Sequence, residues 1–199
     1  MKKMQVVWLL IMALSLFGTS LMTAQILPVK FGIRGGVNLS DYGGDMKDVK
    51  SALRYQVGFT ADLGLTENIY LQTGLDFLTK GGKYKPETGS EVKYNPIYLQ
   101  LPVHVAYKMK VAPGTKVVVN AGPYAAYGLG GKAKGEEKED IFGKDGFKRF
   151  DFGVGAGLGV EFGILALNAG YDWGLANISE IKDVKVKNKS AYITLGLKF

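Results

Sequence analysis

The chain contains no cysteine, which removes disulfides, thiolate nucleophiles and cysteine-based metal sites together. It contains a single histidine, His104, and its carboxylates are scattered, so no usual metal-ligand set can be assembled and no cofactor is expected. A membrane-spanning helix is also missing. The one long apolar run, VVWLLIMALSLF from Val6 to Phe17, is broken by Ser15 and followed by Gly18, Thr19 and Ser20, short of the roughly 20 residues that cross a bilayer. After Gln25 no segment shows a sustained 3.6-residue period.

What is present points elsewhere. Among 199 residues there are 28 Gly, 11 Tyr and 10 Phe, a composition that suits strands and tight turns. The N-terminus runs from Lys2 and Lys3 through the apolar stretch to the small residues before Gln25, the order of a signal peptide over residues 1–24. Cleavage fits best after Ala24, leaving a domain over 25–199. With no cysteine near the cut, lipid anchoring is not expected. Loss of Lys2 and Lys3 lowers the formal charge from +7 to +5, a mild and dispersed basicity.

Eight segments of the remaining chain alternate with period 2. They run over about 29–39, 53–65, 69–77, 97–107, 117–129, 150–162, 165–175 and 191–199. The clearest is FDFGVGAGLGVEF, where Phe150, Phe152, Val154, Ala156, Leu158, Val160 and Phe162 alternate with Asp151, four glycines and Glu161. Pro102 lacks an N–H within the fourth segment, so a bulge or distortion is expected there.

Alternation alone also suits a soluble ligand-binding barrel with its apolar face inward. Three features turn that face outward. The polar face carries Arg34, Asp62, Asp76, Glu161, Asp172 and Lys198, a set that a soluble core would not hold. Connections alternate between long, charged stretches (40–52, 80–93, 131–148, 177–189) and brief ones at Thr66-Glu67-Asn68, around Ala112-Pro113-Gly114 and at Gly163-Ile164. Outward aromatics sort to two levels, with Phe31, Tyr107, Phe162 and Phe199 at the short-turn end and Tyr55, Phe77, Tyr127, Phe150 and Trp173 at the long-loop end. These read as two interfacial girdles. The expected fold is all-β, an eight-stranded antiparallel up-and-down transmembrane β-barrel, closed by its last strand pairing with its first. Eight strands leave a lumen that side chains fill.

The stretches GIRGGVNLS at 32–40, IYLQTGLDFLTKGG at 69–82, YLQLPVHVAYK at 98–108, AGPYAAYGLG at 121–130, FDFGVGAGLGVEF and terminal Phe199 resemble the PorT-like family of small outer-membrane barrels of the Bacteroidetes. The resemblance implies a barrel in the outer membrane, in contact with its lipid and lipopolysaccharide. One named member assists protein secretion, so a protein partner in the envelope is part of what it implies. Phe199 also looks like the terminal aromatic that the barrel-assembly machinery reads. No catalytic residue comes with the likeness.

Chemistry inside the barrel has few candidates. His104 beside inward carboxylates is the one acid–base possibility, for an enzyme acting on lipid or peptide. The fourth segment descends from the 80–93 loop, which puts His104 near the short-turn end and Asp76 towards the other. The mixed signs of Arg34, Asp62, Asp76, Glu161, Asp172 and Lys198 predict a paired network, with Arg34 and Asp172 flanking the eighth segment as one pair. Gly153, Gly155, Gly157 and Gly159 lie within a strand with no helix after them, so they make room for inward residues such as Tyr124 and do not cradle phosphate. Loop 131–148 balances its lysines with acids, which excludes a nucleic-acid patch, while the 80–93 and 177–189 loops each carry about two net positive charges by sequence count. The expected role is non-enzymatic, structural or interactive. A lipid- or peptide-directed enzyme and a soluble ligand-binding barrel stand as alternatives.

Overall fold

A computed structural model describes residues 28–46, 49–84, 92–134, 141–142 and 146–199. The expected signal peptide, residues 1–24, lies outside them. Among the described residues nine strands form: β1 (Val29–Gly44), β2 (Val49–Gly64), β3 (Ile69–Thr79), β4 (Gly82–Tyr84), β5 (Val92–Ala112), β6 (Thr115–Lys134), β7 (Phe150–Phe162), β8 (Leu165–Gly174) and β9 (Val186–Lys198). β4 continues the β3 stave beyond a break at Lys80-Gly81, pairing with β2 and β5, so the barrel has eight staves. All ladders are antiparallel. β1 pairs with both β2 and β9, which closes the sheet and removes its edges.

The alternation sorts side chains as the lipid requires. Phe59 is 70% exposed on the outer wall and Leu158 62%, while Tyr98 and Thr194 are fully buried inside. An inward apolar face would define a soluble ligand-binding barrel; here that face is outside, which overturns that alternative. All nine girdle aromatics point outward and exposed, the first four at the short-turn end and the other five towards the long-loop end.

Local chemistry explains the short turns. Pro113 supplies a fixed φ before Gly114, which takes φ +73°, and Gly163 takes φ +58° ahead of Ile164. At Pro102 the ladder between β3 and β5 skips two pairs, Gly74 against Pro102 and Leu75 against Leu101, and the Thr73 hydroxyl donates to the Pro102 carbonyl at 2.8 Å. The register is unchanged across this gap. The shifts fall instead at Ile97/Tyr98, within β5, and at Lys110/Ala112, beside the β5–β6 turn.

The stretches 40–52, 80–93, 131–148 and 177–189 are less loop than expected. β1 runs on to Gly44, β2 begins at Val49, β5 at Val92, β6 ends at Lys134 and β9 begins at Val186. Polar strands can keep pairing in water once the ladder exists, so the barrel projects past its apolar band. Two apolar clusters sit at this end. One joins Leu78, Tyr98, Tyr124, Ala126, Ile141 and Phe142; the other joins Tyr42, Ala176, Ile178 and Val186, and Phe147 packs against both.

Candidate functional site: the filled lumen and its two mouths

Inward parity brings polar residues from every main stave into one narrow column, so the lumen is the place where site chemistry can arise. It is filled in three levels. Nearest the short turns, Lys108 and Lys198 interleave with Asp62 and Glu161. Lys108 Nζ lies 2.5 Å from Asp62 and 2.7 Å from Glu161, and Lys198 Nζ lies 2.5 Å from each. Gln72 donates a further hydrogen bond to Asp62 at 3.1 Å, and the Tyr70 ring lies 4.5 Å from the Lys108 ammonium. Two cations and two anions thus neutralise each other where water is scarce.

In the middle level, Arg34 donates through Nε and Nη2 to both oxygens of Asp76. The expected pairing with Asp172 does not form. Arg34, Gly58 and Asp76 are opposite one another on three successive strands, and a Cβ on Gly58 would fall 2.1 Å from Asp76 Oδ1. The missing side chain opens the route that the guanidinium takes. Asp172 instead accepts from Gln100 Nε2 at 2.9 Å.

His104 also stands at this level, not near the short turns. It lines one small cavity with Asp76, Arg34 and Asp172, so strand tilt brings together residues that the up-and-down reading separated. Its Nδ1 is 3.3 Å from Asn120 Oδ1, and among the described residues its Nε2 has no hydrogen-bond partner. His104 is 7% exposed. A second cavity of about 40 Å³, lined by Arg34, Asp62, His104, Asn120 and Tyr192, separates this level from the first. Its size and polarity suit ordered water and exclude a drug-sized substrate.

The third level was not foreseen. Lys80 Nζ lies 3.0 Å from Asp151 Oδ2, and both residues are essentially inaccessible. Asn188 Nδ2 donates to the same oxygen at 2.9 Å, and the Lys80 ammonium sits 4.5 Å from the Tyr124 ring and 5.3 Å from that of Tyr98. Of the six charged residues expected in the lumen, all face it; Lys80, Lys108 and Asp151 join them. Lys108 was legible as the continuation of the parity of His104 and Ala106, and Asp151 as the first polar position of β7. Lys80 was hidden because its stretch read as loop.

The glycines of β7 do receive large neighbours. Added Cβ atoms would meet Tyr124 at 2.7 Å from Gly153, Asp172 at 2.5 Å from Gly155, Asn120 at 3.1 Å from Gly157 and Asn168 at 2.3 Å from Gly159. The lumen is closed again at the long-loop mouth, where Phe142 meets Tyr98 edge-on at 5.8 Å and the Arg149 guanidinium lies 5.0 Å from the Phe142 ring. Among the described residues nothing closes the short-turn mouth. Among the described residues no group of three or more metal-ligating side chains converges.

Comparison with known proteins agrees with this architecture. The family model described as "Outer membrane protein beta-barrel domain" matches residues 23–180. No curated protein matches in sequence. Among solved structures, Neisserial surface protein A aligns at 14% identity with a TM-score of 0.50, covering 85% of this chain and 97% of that one. The outer membrane enzyme PagL aligns at 13% identity and TM-score 0.51, with 83% and 98% covered. OprG from Pseudomonas aeruginosa aligns at 13% identity and TM-score 0.50, with 87% and 97% covered. At such identities the likeness is one of fold.

Proposed function

Because this chain belongs to the outer membrane protein beta-barrel domain family and resides in the bacterial outer membrane, we propose that it is a non-enzymatic structural or interaction protein of the cell envelope. The observation that carries this reading is the lumen. Three levels of paired charges and an apolar closure leave cavities too small for a substrate, so the ends of the barrel are its working surfaces. The long-loop end, extracellular in barrels of this kind, presents exposed Lys182, Lys185 and Lys189 to anionic lipopolysaccharide. PorT-like kinship and a secretion-associated partner belong to the same proposal, as does recognition of Phe199 by the assembly machinery.

Cross-linking in intact envelopes followed by purification tests this reading. A reproducible envelope partner or lipopolysaccharide adduct through the long-loop end supports it, and no adduct above a barrel-free control refutes it. PagL shows that this fold can carry an enzyme, so His104→Ala is compared in parallel. Unchanged lipid profiles and protease activity are expected. A lost activity would shift the function to the His104 level.

A further inference from the structure

Among the described residues, the short-turn mouth opens into a large concavity. It is a vestibule of about 560 Å³ lined by Lys30, Lys110, Lys116 and Glu161, with the turns at Ala112-Pro113-Gly114 and Gly163 as its rim. Its floor is the level where Lys108 and Lys198 already satisfy Asp62 and Glu161. Both carboxylates are therefore used below, and the three lysines above them are left in excess.

The register places like charges together on one side: Lys110 and Lys116 are direct cross-strand partners, and both follow the inward parity of their strands. On their other sides Lys116 stands opposite Glu161, with its ammonium 5.6 Å from the Tyr70 ring, and Lys30 stands opposite Asp62, but both carboxylates are already bound by Lys108 and Lys198. Like charges directly opposite one another destabilise a ladder. A hairpin this short has room for a neutral or acidic residue at either position. The arrangement makes sense where an anion bridges the pair.

We propose that this vestibule binds an acidic peptide segment of a periplasmic protein, its carboxylates bridging Lys30, Lys110 and Lys116. Short turns of outer-membrane barrels face the periplasm, so the vestibule opens to water along the barrel axis. Phospholipid headgroups lie outside the wall, at the level of Phe31, Tyr107 and Phe162, and would have to cross the rim to reach the lysines. A flexible acidic segment enters from below without that obstacle. The volume accepts a few side chains and excludes a folded domain. This site lies at the opposite end from the surface proposed above and does not depend on it.

The test uses the full barrel in uncharged detergent and fluorescein-labelled hexaglutamate as probe, read by anisotropy. Saturable binding is expected, weakened by added salt. Lys110→Gln/Lys116→Gln is expected to weaken it about tenfold, as loss of two solvent-accessible charge contacts implies, while Lys50→Gln/Lys148→Gln, at exposed lysines of the other end, leaves it unchanged. Heat-modifiability on a gel checks that each variant is folded. Should the double variant fail that check, Lys30→Gln, which leaves the β5–β6 hairpin intact, is read instead and is expected to weaken binding about threefold. Absence of saturable binding, or equal binding by the vestibule variants, overturns the proposal. So does stronger capture of inorganic phosphate or anionic phospholipid vesicles than of the peptide, which would reassign the lysines to phosphate groups.

Discussion

Breaking the Lys80–Asp151 pair is expected to cost more than any single change on the barrel's surface. Both groups are buried, with Nζ and Oδ2 3.0 Å apart. At an effective dielectric of about 20 their attraction is roughly 5–6 kcal/mol, set against several kcal/mol of desolvation for each ion. The intact pair is thus close to neutral in net effect, while a lone survivor is not. In Lys80→Met, Asp151 keeps Asn188 at 2.9 Å and the more distant Tyr124 hydroxyl at 3.5 Å, neither of which carries charge. A loss of about 3–5 kcal/mol is expected, and a similar loss for Asp151→Asn, which strands the ammonium between the Tyr98 and Tyr124 rings. The double variant should lose clearly less than the two singles combined, because no unpaired ion remains. Reversible urea unfolding in phospholipid vesicles, followed by tryptophan fluorescence, measures all three. Either single variant costing under about 1 kcal/mol, or a double variant equal to the sum, would refute the account of a mutually dependent buried pair.

The same unfolding assay separates three further expectations. Lys108→Met should cost more than Lys198→Met, since their side chains are 2% and 12% exposed within one network; the reverse order would contradict that ranking by burial. Gly153→Ala should cost about 1–3 kcal/mol or more, because its Cβ would approach the Trp173 carbonyl oxygen to 2.1 Å, whereas Gly130→Ala, with open space around it, should stay within about 0.5 kcal/mol. Leu158→Arg, on the outer wall near the middle of β7, should cost about 2–4 kcal/mol in a bilayer and much less in water-rich detergent surroundings. In planar bilayers the barrel should give no steady conductance steps, and Phe142→Ala should not create them, since the Lys80 and Arg34 levels still fill the lumen beneath.

Much of the barrel was legible because its physics is local to a strand. FDFGVGAGLGVEF can satisfy lipid on one face and a crowded lumen on the other only as a period-2 strand, and its observed bounds, Phe150–Phe162, are those that the pattern marks. The brief turns were equally readable, since Pro113-Gly114 and Gly163 declare their backbone angles in their residue types. Long hairpin ends were not. Polar residues of the 40–52 and 177–189 stretches look like loop in isolation and become strand only because a neighbouring ladder is already there to extend.

By itself, then, the sequence determined the apolar spans of the strands, the short turns, which side chains face the lipid and six of the charges that enter the lumen, because each follows from alternation along one segment. Only the tertiary structure decided who meets whom inside. Arg34 chose Asp76 across Gly58, His104 came level with Asp172, and Lys80 entered the lumen to reach Asp151, since strand tilt and closure set distances between residues far apart in the chain. The excess of lysine at the short-turn mouth has the same origin: it appears only after the floor below has paired its two carboxylates.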